Sequence, residues 1–442
     1  MDGSIGGLVD SELADRAEKA LGHDLCDHCL GRLFAQVDTG LSDRERGESL
    51  RMAVAFQRAI DGKEPLPPHV RCIVCEELFD MLPRFADAVV DKLQEVEHHN
   101  FLVGTRVDPL ITEREERLWA EVGQEKAETI KAELNQEIGK LVEQRTGKKV
   151  DFKTPEVVAL VDTRFAHVDL DISPLFVYAR YRKLSREIPQ TRWPCNRCRG
   201  KGCEKCHGTG KMYQTSVQEI IGDPILKAAE SEDHFFHGMG REDIDARMLG
   251  DGRPFVLELR NPKKRDLDLD SLLSQINDAG KGMVEVVGPL RYSSREEVRF
   301  IKSASPEKEY RVSVKLQGKI DKGLLDEVIS SLKRKRITQQ TPTRVAHRRA
   351  DLAREREIVD LTVEEFDGES LVLKVRTESG TYVKEFVHGD QGRTTPSLCE
   401  RLGVPCEVKA LDVIHIYDER DQNGKAVTRT EEAHETDTQQ DP

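Results

Sequence analysis

Apolar positions fall first at helical spacing. Leu13, Ala17, Ala20 and Leu21 predict a helix within residues 12–36, and Leu50, Val54 and Phe56 predict another within 43–61. The segment "DGKEPLPPH" breaks the pattern before Cys72. "CEELFDMLPRFADAVVDKLQEVE" returns to helix, and "NFLVGTRVD" reads as a strand. A long charged helix is expected from Thr112 to Gly147, with Thr112 as its N-cap. "PEVVALVD" and "HVDLDISPLFVYARYRK" alternate or run apolar, as strands do, so residues 76–185 read as an α+β region. From Ser216 the pattern turns to strands: "PFVLELR", "GMVEVVGPLRYS", "VRFIKSAS", "YRVSVKLQG", "LVLKVRTESG" and "EVKALDVIHIY". Helices intervene near 221–230, 321–335 and 383–389. This predicts a second α+β region with a large mixed or antiparallel sheet.

Composition narrows the function classes. With 442 residues, of which 37% are hydrophobic and 34% charged, the chain can bury several cores. No apolar run reaches the roughly 18 residues of a membrane span, and the acidic N-terminus lacks an apolar leader. A cytoplasmic location and no membrane partner are expected. The net charge of −13 excludes a uniformly basic surface and leaves room for local basic grooves. The polar residues 419–442, rich in acid, are expected to be disordered.

Eight of the ten cysteines form four CxxC pairs: Cys26/Cys29, Cys72/Cys75, Cys195/Cys198 and Cys203/Cys206. In a long chain without a leader, such pairing points to metal rather than to disulfides. "CNRCRGKG" and "CEKCHGTG" are two copies of CxxCxGxG, two turns that can aim four thiolates at one point. Cys26, Cys29, Cys72 and Cys75 are expected to make a second structural zinc site. The chain is therefore read as five segments. They are a helical zinc-binding region (1–75), an α+β region (76–190), a four-cysteine knuckle (191–215), a second α+β domain (216–418) and a tail (419–442).

The stretch "HGMGREDIDARMLGDGRPF" crowds acids and arginines between glycines, as an exposed loop at a sheet edge would. Asp243 there could be a nucleophile, a metal ligand or a solvated side chain, and Arg241 and Arg247 favour an ionised carboxylate. "SSLKRKRITQQTPTRVAHRRADLARERE" carries Lys333, Arg334, Lys335, Arg336, Arg344, Arg348 and Arg349. "YARYRKLSR" adds Arg180, Arg182, Lys183 and Arg186 with Tyr178 and Tyr181. Both segments are expected to contact phosphates.

"GREDIDARMLGDGRPFVLEL" resembles the catalytic-loop motif of the archaeal-type tRNA pseudouridine synthases that act on the T-loop. "LCDHCLGRLFA" resembles that family's N-terminal cysteine motif. "FLVGTRVDP" through "PLFVYARYRKLSREIPQTRWPC" resembles its THUMP-type RNA-binding domain. "KEYRVSVKLQG", "QQTPTRVAHRRAD" and "GTYVKEFVHGDQGRTTPSL" resemble its remaining catalytic motifs, and the likeness covers about residues 20–416. The resemblance implies an isomerase that makes pseudouridine at tRNA positions 54 and 55 and needs no cofactor for catalysis. It implies Asp243 as the catalytic aspartate, with Asp245 as the fallback. Tyr310 would stack on the target uracil, Lys384 would pair with the aspartate, and Leu411 would pack the base. Arg241 and Arg247 would hold the loop and the flipped nucleotide's phosphate.

Two other readings compete. Another THUMP-bearing enzyme, a methyltransferase or thiouridine synthase, would need a glycine-rich nucleotide loop after a strand, which "GDGRPF" and "HGDQGRT" do not supply. A non-catalytic, zinc-stabilised tRNA-binding protein would bind the T-arm without isomerising it.

Overall fold

The structure, a computed structural model, describes residues 11–37, 40–348 and 350–418. The expected tail 419–442, Arg349 and the Arg348 side chain lie outside the described residues. The chain forms two compact units. Among the described residues, one comprises 11–174, 229–232 and 260–266; the other comprises 175–228, 233–259 and 267–418.

In the first unit, the expected helix at 43–61 forms over Asp43–Ile60. Ser42 accepts from the Glu45 amide and the Glu45 side chain accepts from the Ser42 amide, so two end donors are satisfied reciprocally. It crosses Asp27–Gly31 at backbone contact. A Cβ at Gly31 would lie 1.7 Å from Asp43 O, and one at Gly47 would lie 1.9 Å from Asp27 O. That approach clamps the short helix that carries Cys29, with Cys26 at its N-cap, against its neighbour. One apolar core runs from Ala17 to Val168, so the cysteine-bearing helices and the following α+β segment share it. Its four-stranded sheet runs in the order Lys149–Val150, Asn100–Arg106, Val157–Asp162 and His167–Ile172, with the last pair antiparallel.

The expected long helix from Thr112 to Gly147 is two helices, Pro109–Val122 and Ile130–Thr146. Gly123 ends the first at φ +92°, a conformation that side-chain-bearing residues avoid. Asp108 caps the first helix in place of Thr112, and Thr129 caps the second. Charge periodicity ran through the break and hid it.

The second unit is built on a ten-stranded mixed sheet. Its path runs Thr394–Thr395, Lys335–Gln339, Arg354–Phe366, Ser370–Thr377, Glu307–Leu316, Cys406–Tyr417, Arg247–Arg260, Leu175–Lys183 and Val284–Tyr292, with Asp233–Gly238 paired beside Arg247–Arg260. Cys406–Tyr417 pairs antiparallel with Glu307–Leu316 and parallel with Arg247–Arg260, so it joins the sheet's two halves. Leu175–Lys183, grouped by sequence with residues 76–190, belongs to this sheet and lies between two of its strands. Leu175, Phe176 and Val177 are all buried, and from Tyr178 onward half-buried and buried positions alternate. "VRFIKSAS", read as a strand, falls largely in the helix Arg295–Ser303, capped by Ser294 with Val298 and Ile301 turned inward. Among the described residues no helix is long and apolar enough to cross a membrane.

Candidate active site and cysteine centres

The loop between Asp233–Gly238 and Arg247–Arg260 carries the GRED sequence, and its two acidic residues face opposite environments. Glu242 is buried against Arg253, whose Nε lies 3.0 Å from Oε2; the two side chains are 0% and 1% exposed. Tyr181 OH donates to Glu242 at 3.0 Å, and Arg253 Nη1 donates to Met239 O at 2.7 Å. Gln190 Nε2 donates to Gly240 O at 3.0 Å. From beneath, the buried Lys183 ammonium donates to Ile188 O (3.1 Å), Asp243 O (3.1 Å) and Ile244 O (2.6 Å). Burial pulls the Lys183 amine down to about 8, against the raising charges of Glu242, Asp245 and Asp243. The loop backbone is thus gripped on several sides, and the Asp243 side chain is left half-exposed above it.

Two cations meet the two aspartates. Arg344 Nη1 lies 3.0 Å from each Asp243 carboxylate oxygen. Lys384 Nζ lies 2.7 Å from both Asp245 oxygens and 3.5 Å from Asp243 Oδ2. Burial disfavours the Asp245 carboxylate, but Lys384 outweighs it and holds the group below its ordinary value. The expected partnership of Lys384 with Asp243 is therefore shared: Arg344 makes the closer contact. The sequence had marked Arg344 only as a phosphate contact.

Tyr310 is half-buried on Glu307–Leu316, packed against the same apolar core as Leu411. Burial, helped by the charge of Asp243 and opposed by Arg253, pushes its phenol up to about 12. It is a neutral aromatic face at ordinary pH. Lys308, two residues back on the strand and so on the same face, is buried, with its Nζ 3.3 Å from Ser379 Oγ. Burial and Arg253 pull its amine down to about 8. Leu411 lines a cleft with Arg186, Asp245, Lys384 and His388.

Other expected contacts are spent elsewhere. Arg241 lies over the Trp193 ring at 5.3 Å, beside the knuckle, rather than against Asp243. Arg247 grips Asp412 through Nε (2.9 Å) and Nη2 (2.8 Å), a bidentate pair that fixes the parallel strand contact. Arg186 binds Asp412 Oδ1 at 2.6 Å together with the carbonyls of Asp245 and Leu411. The basic segment 178–186, expected on phosphates, is largely consumed inside the protein. Arg180 holds Asp251 O, Gly252 O and Asp418; Arg182 holds Gly250 O and Glu285; Tyr178 carries Arg291 over its ring. A strand with neighbours on both edges leaves its long cations to tie down adjacent loops. In the other basic segment Lys333 and Arg336 pair with Asp360 and Glu355.

Both cysteine groups converge. Within Cys26, Cys29, Cys72 and Cys75, and within Cys195, Cys198, Cys203 and Cys206, the sulfurs all lie within 4.8 Å of one another. None of the eight is in a disulfide. In the knuckle, amides aim at sulfur: Cys203 N to Cys206 Sγ at 3.1 Å, Gly202 N to Cys198 Sγ at 3.2 Å and Gly210 N to Cys206 Sγ at 3.2 Å. Four sulfurs with amide donors behind them fit a metal ion bound by thiolates, and each group could hold one.

Comparison with known proteins identifies the family. Residues 176–417 match the family model "Pus10, C-terminal", and residues 85–162 match "Pus10 THUMP domain, archaeal". The chain is 43% identical over 415 residues to a tRNA pseudouridine synthase Pus10 of Methanothrix thermoacetophila, covering 89% of this chain and 91% of that protein. It is 40% identical over 433 residues to its counterpart in Methanopyrus kandleri, covering 92% and 99%. The counterpart in Halorubrum lacusprofundi is 40% identical over 403 residues, covering 89% and 94%. A solved Cbf5–Nop10–Gar1 complex is similar at a TM-score of 0.31 and 16% identity, over 55% of this chain and 48% of the matched one.

Proposed function

The chain belongs to the Pus10 family of tRNA pseudouridine synthases, which are isomerases, and we propose that it converts uridine to pseudouridine at positions 54 and 55 of the tRNA T-loop with Asp243 as its catalytic residue. The observation that carries this reading is the Asp243 carboxylate, half-exposed, with Arg344 3.0 Å and Lys384 3.5 Å away and Tyr310 close by. The reaction breaks the N1–C1′ bond, turns the uracil and rejoins it through C5. A carboxylate flanked by two cations can act at the sugar or at the base. The flat, neutral Tyr310 ring gives the detached uracil a surface that tolerates rotation, because stacking is insensitive to it. Leu411 closes the apolar side of the cleft. The target uridine must leave the helical stack to reach this carboxylate.

The THUMP-like segment would carry the T-arm by its shape. The two four-cysteine groups would hold zinc as closed structural sites with no open ligand position, and no step of the isomerisation passes through them. Cysteines outside disulfides suit the proposed cytoplasmic location. The segments 1–75, 76–190, 191–215, 216–418 and 419–442 remain our working division, with the strand Leu175–Lys183 serving the catalytic sheet.

The test is to incubate purified protein with an unmodified tRNA transcript and no added cofactor, then map pseudouridine by nucleotide position. Product at 54 and 55, lost in Asp243→Asn, is expected. Full activity in Asp243→Asn would remove Asp243 from the chemistry, and tight tRNA binding without product would favour a binding protein.

A further inference from the structure

Four charged groups from three segments converge at the rim of the cleft: Asp243 and Asp245 from one loop, Arg344 from the 343–348 turn and Lys384 from the helix Val383–His388. They sort into pairs. Lys384 sits symmetrically on Asp245, 2.7 Å from both oxygens, and reaches Asp243 only at 3.5 Å. Arg344 sits symmetrically on Asp243.

Arg344 is itself held from behind. Its Nε donates to Glu385 Oε1 at 2.7 Å, and Glu385 is 2% exposed. The other Glu385 oxygen, Oε2, is buried without a hydrogen-bond partner. Among the described residues Arg344 is Glu385's one ion-pair partner. A buried carboxylate is tolerated only when a charge compensates it, so Glu385 constrains Arg344 strongly. The base of the turn is anchored as well. Thr343 donates from its amide (2.9 Å) and its hydroxyl (3.2 Å) to Asp390 Oδ2, and Arg393 Nη2 donates to Thr341 O at 2.9 Å.

We propose that Arg344, locked by Glu385, is the positioning residue that aims the Asp243 carboxylate, while Lys384 steadies Asp245. This rests on the proposed role of Asp243. A guanidinium is planar, so fixing Nε on Glu385 also fixes where Nη1 presents its hydrogens to Asp243. A lysine ammonium on a flexible stem carries the charge without that coupling. Burial would lower the Arg344 charge, but Glu385 and Asp243 more than offset it and hold the guanidinium above its ordinary value. The competing role is phosphate binding by a half-exposed arginine, and the two roles separate in kinetics.

The experiment compares wild type, Arg344→Lys, Arg344→Ala and Glu385→Gln on a tRNA transcript, measuring single-turnover pseudouridine formation and, separately, tRNA affinity at several salt concentrations. The expected result is a rate loss on the order of tenfold or more in Arg344→Lys and Glu385→Gln, the scale of one charge-assisted hydrogen bond. Affinity and its salt dependence should stay within about twofold of wild type, the pattern of an interaction made in the transition state rather than in binding. Added guanidinium ion should partly restore Arg344→Ala. Arg344→Lys and Glu385→Gln keep the proposal falsifiable if Arg344→Ala fails to fold, because both retain a side chain of similar size at each position. A full rate in both, with weaker tRNA binding in Arg344→Lys, would make Arg344 a phosphate contact and overturn the proposal. Absence of product from wild type would instead take away the parent reading, a result distinct from an active Arg344→Lys.

Discussion

Glu242→Gln separates the buried part of the GRED loop, which holds the fold, from Asp243, the residue proposed for the chemistry. The substitution keeps size and shape but removes the charge that faces Arg253 at 3.0 Å, in a pair whose side chains are 0% and 1% exposed. Arg253 keeps its bond to Met239 O at 2.7 Å and gains no other acid. Tyr181 OH, which donates to both Glu242 oxygens at 3.0 Å, can still donate to the amide oxygen. The main loss is therefore the compensation of a buried guanidinium, which costs about 3–5 kcal/mol when one partner is removed. For a unit of this size each kcal/mol moves the melting temperature by roughly 2–4 °C, so a fall of roughly 6–20 °C is expected. Asp243→Asn, one residue along but half-exposed, should melt within about 2 °C of wild type, as surface substitutions do. Thermal scans with circular dichroism, run beside the pseudouridine assay, measure both. If Glu242→Gln melts like wild type, the buried pair does not hold the loop and the division of labour within GRED is wrong.

Asp412→Asn should cost about 2 kcal/mol at neutral pH, since it weakens charged hydrogen bonds from Arg247 and Arg186. Burial opposes the Asp412 carboxylate but the two arginines win and hold it below 3.8, so its contribution is complete above that value and lost as pH falls through the lower native value. The melting difference between wild type and Asp412→Asn should be full at about pH 5 and shrink under more acid conditions; a difference that persists unchanged at about pH 2 would contradict this. Elemental analysis of purified protein should find two zinc ions per chain, one for each four-cysteine group, and Cys203→Ser should lose one of them. A chelator that strips the knuckle should raise protease cleavage between residues 191 and 215, because the thiolate turns have little apolar core of their own.

Much of the molecule was legible before its folding was seen, for identifiable reasons. Cysteine spacing reports metal geometry directly, since the ligand turns are local in sequence, and all eight cysteines group as expected. Asp243, Lys384, Tyr310 and Leu411 were marked through long motifs, and the structure brings the first two within 3.5 Å. The positions of Lys183, Glu242 and Arg253 in the loop's support were not legible, because a buried charge looks like any surface charge until its partner is known. Lys183 was read as a phosphate contact, yet it ends under Asp243. Arg344 and Asp243 stand 101 residues apart, and no local pattern signals such a pair. Charge periodicity also masked the break at Gly123, where only one residue departs from helix chemistry.

The strand Cys406–Tyr417 is the last described element, yet it sits in the interior of the sheet. During synthesis the strands bearing Tyr310 and those flanking the Asp243 loop emerge with facing edges unpaired, and the segment that bridges them is made last. Until then the nascent chain exposes two open strand edges, the kind of template that invites mispairing. A ribosome stalled before codon 406 would therefore hold a chain with its cysteine turns made and its Asp243 loop translated but the sheet around that loop unfinished. Premature termination anywhere upstream of this strand should be indistinguishable in effect from loss of the whole domain, however late it falls.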